Sequence, residues 1–278
     1  MAVNKMKMTA VIRNEKKVPF YKKIDLLALC VATLAILSFL SVWHLSVVFT
    51  DLGRLIPGPG EVIQGFFLTF VNPIGRHNIL GHIFFSLSRV LVGYIAAALA
   101  GITLGVLMGW NKTIEAIFRP LYEMIRPIPP IAWIPLAILW FGLGDMTRWF
   151  LIFLGAFNNI TLNAYQGAKT VDPVLVGASK MLGANKFQTL LTVVVPGSIP
   201  QIFAGLHVAV SVSWATVVAA EMVRSSEGVG WVIITGQETN NMTQVLIGII
   251  AIGIIGYLLA ILMRKVEEKL CSWNKIGR

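Results

Sequence analysis

The feature that most constrains this chain is a series of long apolar runs, each about as long as a helix that crosses a bilayer. They lie at about residues 26–48, 79–108, 121–141, 149–165, 193–222 and 245–263. About 20 residues in helical form cover the roughly 30 Å hydrocarbon core. A segment in lipid must satisfy its own backbone hydrogen bonds, so the runs are expected to be helices. Composition agrees: charged residues are 13% of the 278 positions and hydrophobic residues 56%, whereas a soluble domain carries about a quarter charged residues. The basic N-terminal stretch leads into an apolar run too long for the core of a secretory leader, and no small-residue cleavage site follows. The first run is therefore expected to stay as a span.

The charge distribution predicts the orientation. With the N-terminus inside, 18 of the 23 Lys and Arg residues fall in the N-tail, the 110–126 segment, the 166–192 loop and the C-tail. Arg54, Arg76, Arg148 and Arg224 fall outside, and Arg89 falls inside the second run. That asymmetry predicts six spans with both ends in the cytoplasm. It also turns the net charge of +10 into an orientation signal spread over short loops, which argues against a nucleic-acid partner. The expected organisation is a basic tail over 1–25, a first span over 26–48, an outside loop over 49–78, a membrane-spanning core over 79–265 and a C-tail over 266–278. Within the outside loop Pro57-Gly58-Pro59-Gly60 reads as a turn. Glu61 to Phe70 reads as a short interfacial helix, with Phe66, Phe67 and Phe70 toward lipid. A similar surface element is expected at Val229 to Ile234.

Cys30 and Cys271 lack metal-ligand spacing and read as free thiols. No catalytic residue and no metal ligand set is expected, since no nucleophile is paired with a base in a known motif. No Gly-Lys dipeptide occurs, so the chain has no phosphate-cradling P-loop.

The 166–192 loop is long and polar, and it carries its own helix signal. Asp172 reads as an N-cap and Pro173 as the first helical residue. The helix continues from Val174 to Met181 and ends at Gly183. Pro196 and Pro200 bracket the start of the fifth span.

This loop carries a family resemblance. Gly177-Ala178-Ser179, Gly183-Ala184 and Val193-Val194-Val195-Pro196 match the spacing of the EAA loop of bacterial ABC importer permeases. Gly177 stands where the family has Glu, and Ser179 where it has Ala. Arg126-Pro-Ile-Pro-Pro-Ile-Ala-Trp-Ile-Pro135, Leu-Trp-Phe-Gly142, Ser86-Leu-Ser-Arg-Val90, Gly155-Ala-Phe157 and Ala219-Ala-Glu-Met222 resemble the nitrate/sulfonate/taurine subgroup. The resemblance covers about residues 55–270. It implies an all-α membrane protein with the type I (MetI-like) permease fold, six transmembrane helices and a cytoplasmic coupling helix. It implies that Gly177, Ala178, Ser179, Lys180, Leu182, Gly183, Ala184 and Lys186 form the surface that couples to the ATPase. It further implies a homodimer in membrane lipid, two ATPase subunits carrying ATP and Mg, and a periplasmic or lipid-anchored solute-binding protein. The solutes implied are small anions: aliphatic sulfonates, taurine, nitrate or bicarbonate.

Polar residues inside the spans are costly, and they face a cavity or the protein interior. The candidates are Arg89, Trp133, Asn159, Asn163, His207, Ser211, Trp214 and Glu221. On the fifth span His207, Ser211, Trp214, Val218 and Glu221 share one helix face. They line the pathway or bond to neighbouring helices. Arg89 either attracts an anion in the pathway or pairs with Glu221. The four prolines Pro127, Pro129, Pro130 and Pro135 predict a kinked third span with freed carbonyls. Six spans also fit a secondary transporter driven by an ion gradient, which would show inverted repeats with broken helices in both halves, and the resemblance also admits an ABC permease for a vitamin precursor.

Overall fold

The computed structural model describes residues 26–270; the expected basic N-tail and Cys271 lie outside the described residues. Among the described residues the regular structure is helical, apart from a single bridge between Ile74 and His77.

Residues 1–59 form one unit. Its described part is helix α1 (Leu26–Phe49), apolar along its length, followed by a one-turn 3-10 helix over Asp51–Arg54.

Residues 60–278 form the second unit. Its helices are α2 (Pro59–Leu68, beginning one residue earlier), α3 (Ile79–Trp110), α4 (Lys112–Ile125), α5 (Ile134–Phe141), α6 (Asp145–Lys169), α7 (Pro173–Met181), α8 (Lys186–Thr189), α9 (Val195–Arg224), α10 (Val229–Glu238) and α11 (Met242–Leu270). Local chemistry sets the ends. The Asn78 side chain accepts from Gly81 N–H and starts α3, Asn111 caps α4, and Asp172 accepts from Val174 N–H and starts α7. Asn185 and Gln188 form a capping box at α8. Between α8 and α9 one π turn (Leu190–Val194) precedes Pro196, which has no N–H to donate.

The centre of the unit is α6, flanked by α3 and α9. Helices α3 and α6 run parallel along a seam of small residues. Gly93 faces Ile152, Gly101 faces Ile160, Gly105 faces Ala164 and Gly109 faces Ala168, a constant step of 59 residues. Ala97 and Ala156 occupy the same step in one buried cluster. A Cβ at Gly105 would stand 2.5 Å from the Thr161 carbonyl oxygen, so the backbones touch there. Small residues every fourth position permit this close approach, as in membrane helix pairs generally. Helix α9 runs antiparallel to α6: Gly205 meets Asn163, and Gly155 meets Val212 and Thr216. Helix α11 lies along α9, with Trp214 Nε1 donating to the Ile252 carbonyl at 3.0 Å. Below, the Asp145 end of α6 is the upper end of this unit and the Lys169 end the lower.

Among the described residues four helices are long and apolar enough to cross a membrane alone: Leu29–Phe49, Ile79–Trp110, Lys186–Val223 and Met242–Leu270. A fifth crossing is possible for the pair Lys112–Ile125 and Pro130–Phe141, which are bent by 85°. The sequence reading differs in three places. The expected third span over 121–141 is two helices, beginning at Lys112 and broken at the prolines. The expected fourth span over 149–165 is the longer α6, whose polar ends read as loop in the sequence. Helix α6 is also less apolar than its neighbours, because it is packed along its length and eleven of its residues are buried. Third, the two expected surface elements are partly core: Phe66, expected to face lipid, packs on the cluster that holds Ile79 and Val229, and Val229 and Val232 of the second element are fully buried, whereas Phe67 is exposed.

Candidate functional site

At the upper end the sequence brings charge into the core. Arg89, on α3, is 5% exposed, and Glu221, on α9, is fully buried. Arg89 Nη1 donates to Glu221 Oε1 at 2.8 Å and to the Glu227 carbonyl at 3.0 Å, and its Nε donates to Asp145 Oδ1 at 2.8 Å. Arg148 Nη1 donates to the same Asp145 oxygen at 2.6 Å. The Ser86 hydroxyl lies 2.8 and 2.9 Å from the two Glu221 oxygens and accepts from Val229 N–H at 2.9 Å. Gly230 N–H donates to Glu221 Oε2 at 3.1 Å.

This network ties the α9–α10 connection to α3 and to the start of α6. Gly228, inside that connection, has φ +110, and a Cβ there would overlap the Glu221 carboxyl at 2.3 Å. Only glycine fits the backbone between Glu221 and Val229. His82 completes the set. Its Nδ1 accepts from Gly228 N–H at 3.2 Å, so its Nε2 carries the proton and donates to the Ile74 carbonyl at 2.9 Å. Its ring stacks on Trp231 at 5.2 Å.

The structure thus brings Arg89 and Glu221 together, as one of the two sequence alternatives had it. Their partners Ser86, His82, Asp145, Arg148, Gly228 and Gly230 were missed. A signal was available: His82, Ser86 and Arg89 stand at i, i+4 and i+7 on an otherwise apolar helix, a polar stripe at helical spacing.

The fifth-span face points mostly inward. Trp214, 5% exposed, bonds to α11; Val218 and Glu221 are buried against α10; and His207 Nδ1 lies 3.7 Å from Glu267 Oε2 on α11. Only Ser211 of that face is exposed. The stripe is chiefly the α9 surface that packs on α10 and α11, which accounts for its periodicity without a pathway. Asn159 and Asn163 donate to the carbonyls of Gly155 and Asn159 on their own helix, at 3.0 and 2.8 Å. Trp133 ends the 3-10 turn Pro130–Trp133 in the broken segment and packs beside Ile134 and Leu151.

At the lower end Glu115 accepts from Lys169 at 2.7 Å, from Arg119 at 3.3 Å and from the Tyr165 hydroxyl, which holds the start of α4 against α6. Helix α7 and the turn after it project from this end. Gly183, φ +85, makes the turn, with Ala184 N–H returning to the Ser179 carbonyl at 3.0 Å. Val174 is 73% exposed, Met181 90% and Leu182 88%. Such large apolar groups concentrated on one polar loop call for a covering partner. Gly177 has open space around it, Ser179 Oγ lies 3.1 Å from Thr189 Oγ1, and Lys180, Leu182, Gly183, Ala184 and Lys186 sit on or beside the turn. Among the described residues no cluster of three or more potential metal ligands occurs.

The sequence profile of the binding-protein-dependent transport system inner membrane component family matches residues 101–270. The taurine transport system permease protein of Escherichia coli strain K12 is 35% identical over 249 residues, 88% of this chain and 90% of that one. The nitrate import permease protein of Synechocystis sp. is 34% identical over 230 residues, 81% of this chain and 83% of that one. A solved structure of the MetNI methionine ABC transporter in an inward-facing conformation superposes with a TM-score of 0.58 at 18% identity, covering 65% of this chain and 90% of that one; it establishes the fold. The chain belongs to the binding-protein-dependent inner-membrane component family and is a permease subunit of an ABC importer. It is a multi-pass inner-membrane protein, and its family implies an ATPase subunit and a solute-binding protein as partners.

Proposed function

We propose that the chain forms the translocation pathway for a small oxyanion of the sulfonate, taurine, nitrate or bicarbonate class, delivered by an external solute-binding protein. It works as a homodimer with two ATPase subunits, which bind ATP and Mg and carry all the hydrolysis. The chain crosses the membrane six times through α1, α3, the broken α4–α5, α6, α9 and α11, with both ends in the cytoplasm. Helix α7 is the coupling helix. The observation that carries the reading is the exposed apolar turn around Gly183, on the one loop whose spacing follows the importer pattern. The names of the taurine and nitrate relatives support the solute class.

The test is reconstitution with the ATPase and binding protein encoded beside this chain. ATP hydrolysis should rise when the binding protein is loaded with an alkanesulfonate, taurine, nitrate or bicarbonate, and that solute should enter the vesicles. Uptake without ATP, driven by an ion gradient, would replace the reading by a secondary carrier. Stimulation only by an uncharged vitamin precursor would replace the solute class.

A further inference from the structure

The broken third span places a guanidinium where the sequence reading did not. Arg126 was counted with the inside 110–126 segment. Contacts of four residues of the broken span fix its level along α6. Glu115 meets Lys169 and Tyr165, the Tyr122 hydroxyl donates to the Asn158 carbonyl, Pro130 touches Gly155, and Thr147 Oγ1 donates to the Ala137 carbonyl at 3.2 Å. The α4–α5 segment therefore climbs α6 from its lower to its upper end. Between Tyr122 and Pro130, however, it advances only from the level of Asn158 to that of Gly155, about 4.5 Å of helical rise. The chain runs sideways there, at the break across which the axes of the two helices differ by 85°.

Arg126 stands at the start of that sideways run, level with the middle of the 25-residue α6 and so about 18 Å from either end. Residues 126–129 are exposed, non-helical and proline-rich. Arg126 forms no ion pair with a described carboxylate of this chain: Glu115 and Glu123, the acids of α4, are held by Arg119 and Lys169. Two physical limits meet at this place. Irregular backbone at membrane depth is tolerated only where it is covered by protein or lines a water-filled cavity. A charged group near the bilayer centre costs about 2.5 kcal/mol or more in lipid, and half of the roughly 30 Å core is farther than an arginine can snorkel. The exposed face at Arg126 is therefore not a lipid face.

We propose that Arg126 lines the aqueous pathway and is the group that receives the oxyanion at mid-depth, its planar fork matching two oxygens of a sulfonate or nitrate. This rests on the permease reading above. Arg89, buried and paired with Glu221 and Asp145, is not that group.

The test uses the full complex of permease, ATPase and binding protein in vesicles, with the oxyanion that stimulates the wild type as probe. If the wild type transports no oxyanion, the permease reading for that class fails, apart from this inference. If it does, Arg126→Gln should cut uptake about tenfold, the loss of roughly one charge-assisted hydrogen bond, while binding-protein-stimulated ATP hydrolysis persists. Arg126→Lys should retain a larger share than Arg126→Gln. Wild-type uptake in Arg126→Gln would overturn the proposal. So would dissociation of the permease pair in Arg126→Gln but not in Arg126→Lys, which would assign Arg126 to a carboxylate of a second copy. A second readout covers poor assembly. In a chain with both native cysteines changed to Ser, Arg126→Cys should react with a membrane-impermeant thiol reagent in at least one nucleotide state, and the transported oxyanion should slow the reaction. No labelling in any state would overturn the proposal.

Discussion

At the residue scale, the upper end depends on matched charges. Glu221 is fully buried and meets one guanidinium nitrogen, one hydroxyl and one backbone N–H, so its charge is satisfied only while Arg89 is present. Removing one partner of a buried pair costs about 3–5 kcal/mol, whereas replacing both by neutral groups is often near neutral. Arg89→Gln is expected to lower the unfolding midpoint of the detergent-purified chain sharply. Arg89→Gln with Glu221→Gln should recover much of that loss, and a double variant no more stable than Arg89→Gln alone would show that the pair is not the reason for the charges. Arg89 was legible in the sequence because an arginine amid apolar residues is conspicuous. Asp145 and Arg148 were not, because at the edge of an apolar run they look like ordinary loop residues. Only the fold shows that Arg89 reaches back to them from α3.

At the element scale, the turn after α7 separates two causes that sequence spacing merges. A side chain at Gly183 meets no atom within 4 Å, so the turn demands glycine through its φ of +85 and not through crowding. A β-branched residue there costs about 1–2 kcal/mol of backbone strain, and Asn much less. Gly183→Val should reduce binding-protein-stimulated ATP hydrolysis by the reconstituted complex, whereas Gly183→Asn should keep most of it. Equal loss in both would point to the glycine surface itself. The start of α7 was readable because Asp172 and Pro173 act on their own next turn. The break of the third span was only half readable. The prolines announce a kink, but an apolar count cannot tell a gentle bend from a break that turns the helix axis by 85°.

For the whole molecule, the charge asymmetry still predicts the orientation with Arg126 removed from the inside set. Reporter fusions at Lys180 should read cytoplasmic, and fusions near Arg76 and Ser226 external. An external signal at Lys180 would reverse the assignment of the coupling turn. The apolar runs disclosed the helices, since bilayer thickness acts on each run separately. They did not disclose which helix is central. Helix α6 carries more polar residues than its neighbours because neighbouring helices, and not lipid, surround it. The α3–α6 seam was present in the sequence as Gly93, Ala97, Gly101, Gly105 and Gly109, a spacing that went unread because small residues carry no hydropathy contrast.

That seam determines where the chain tolerates a change in length. The facing pairs along it keep one 59-residue step, and one helical residue turns the following side chains by about 100°. A single residue inserted between Gly93 and Gly109 would swing all later small residues away from α6 and put bulky neighbours in their place. The same insertion in the sideways run after Arg126 moves no seam residue, because Gly109 lies before it and α6 as a whole after it. Insertion scanning should therefore divide this region into an intolerant stretch and a permissive one, with the permissive sites falling in the irregular segment between α4 and α5.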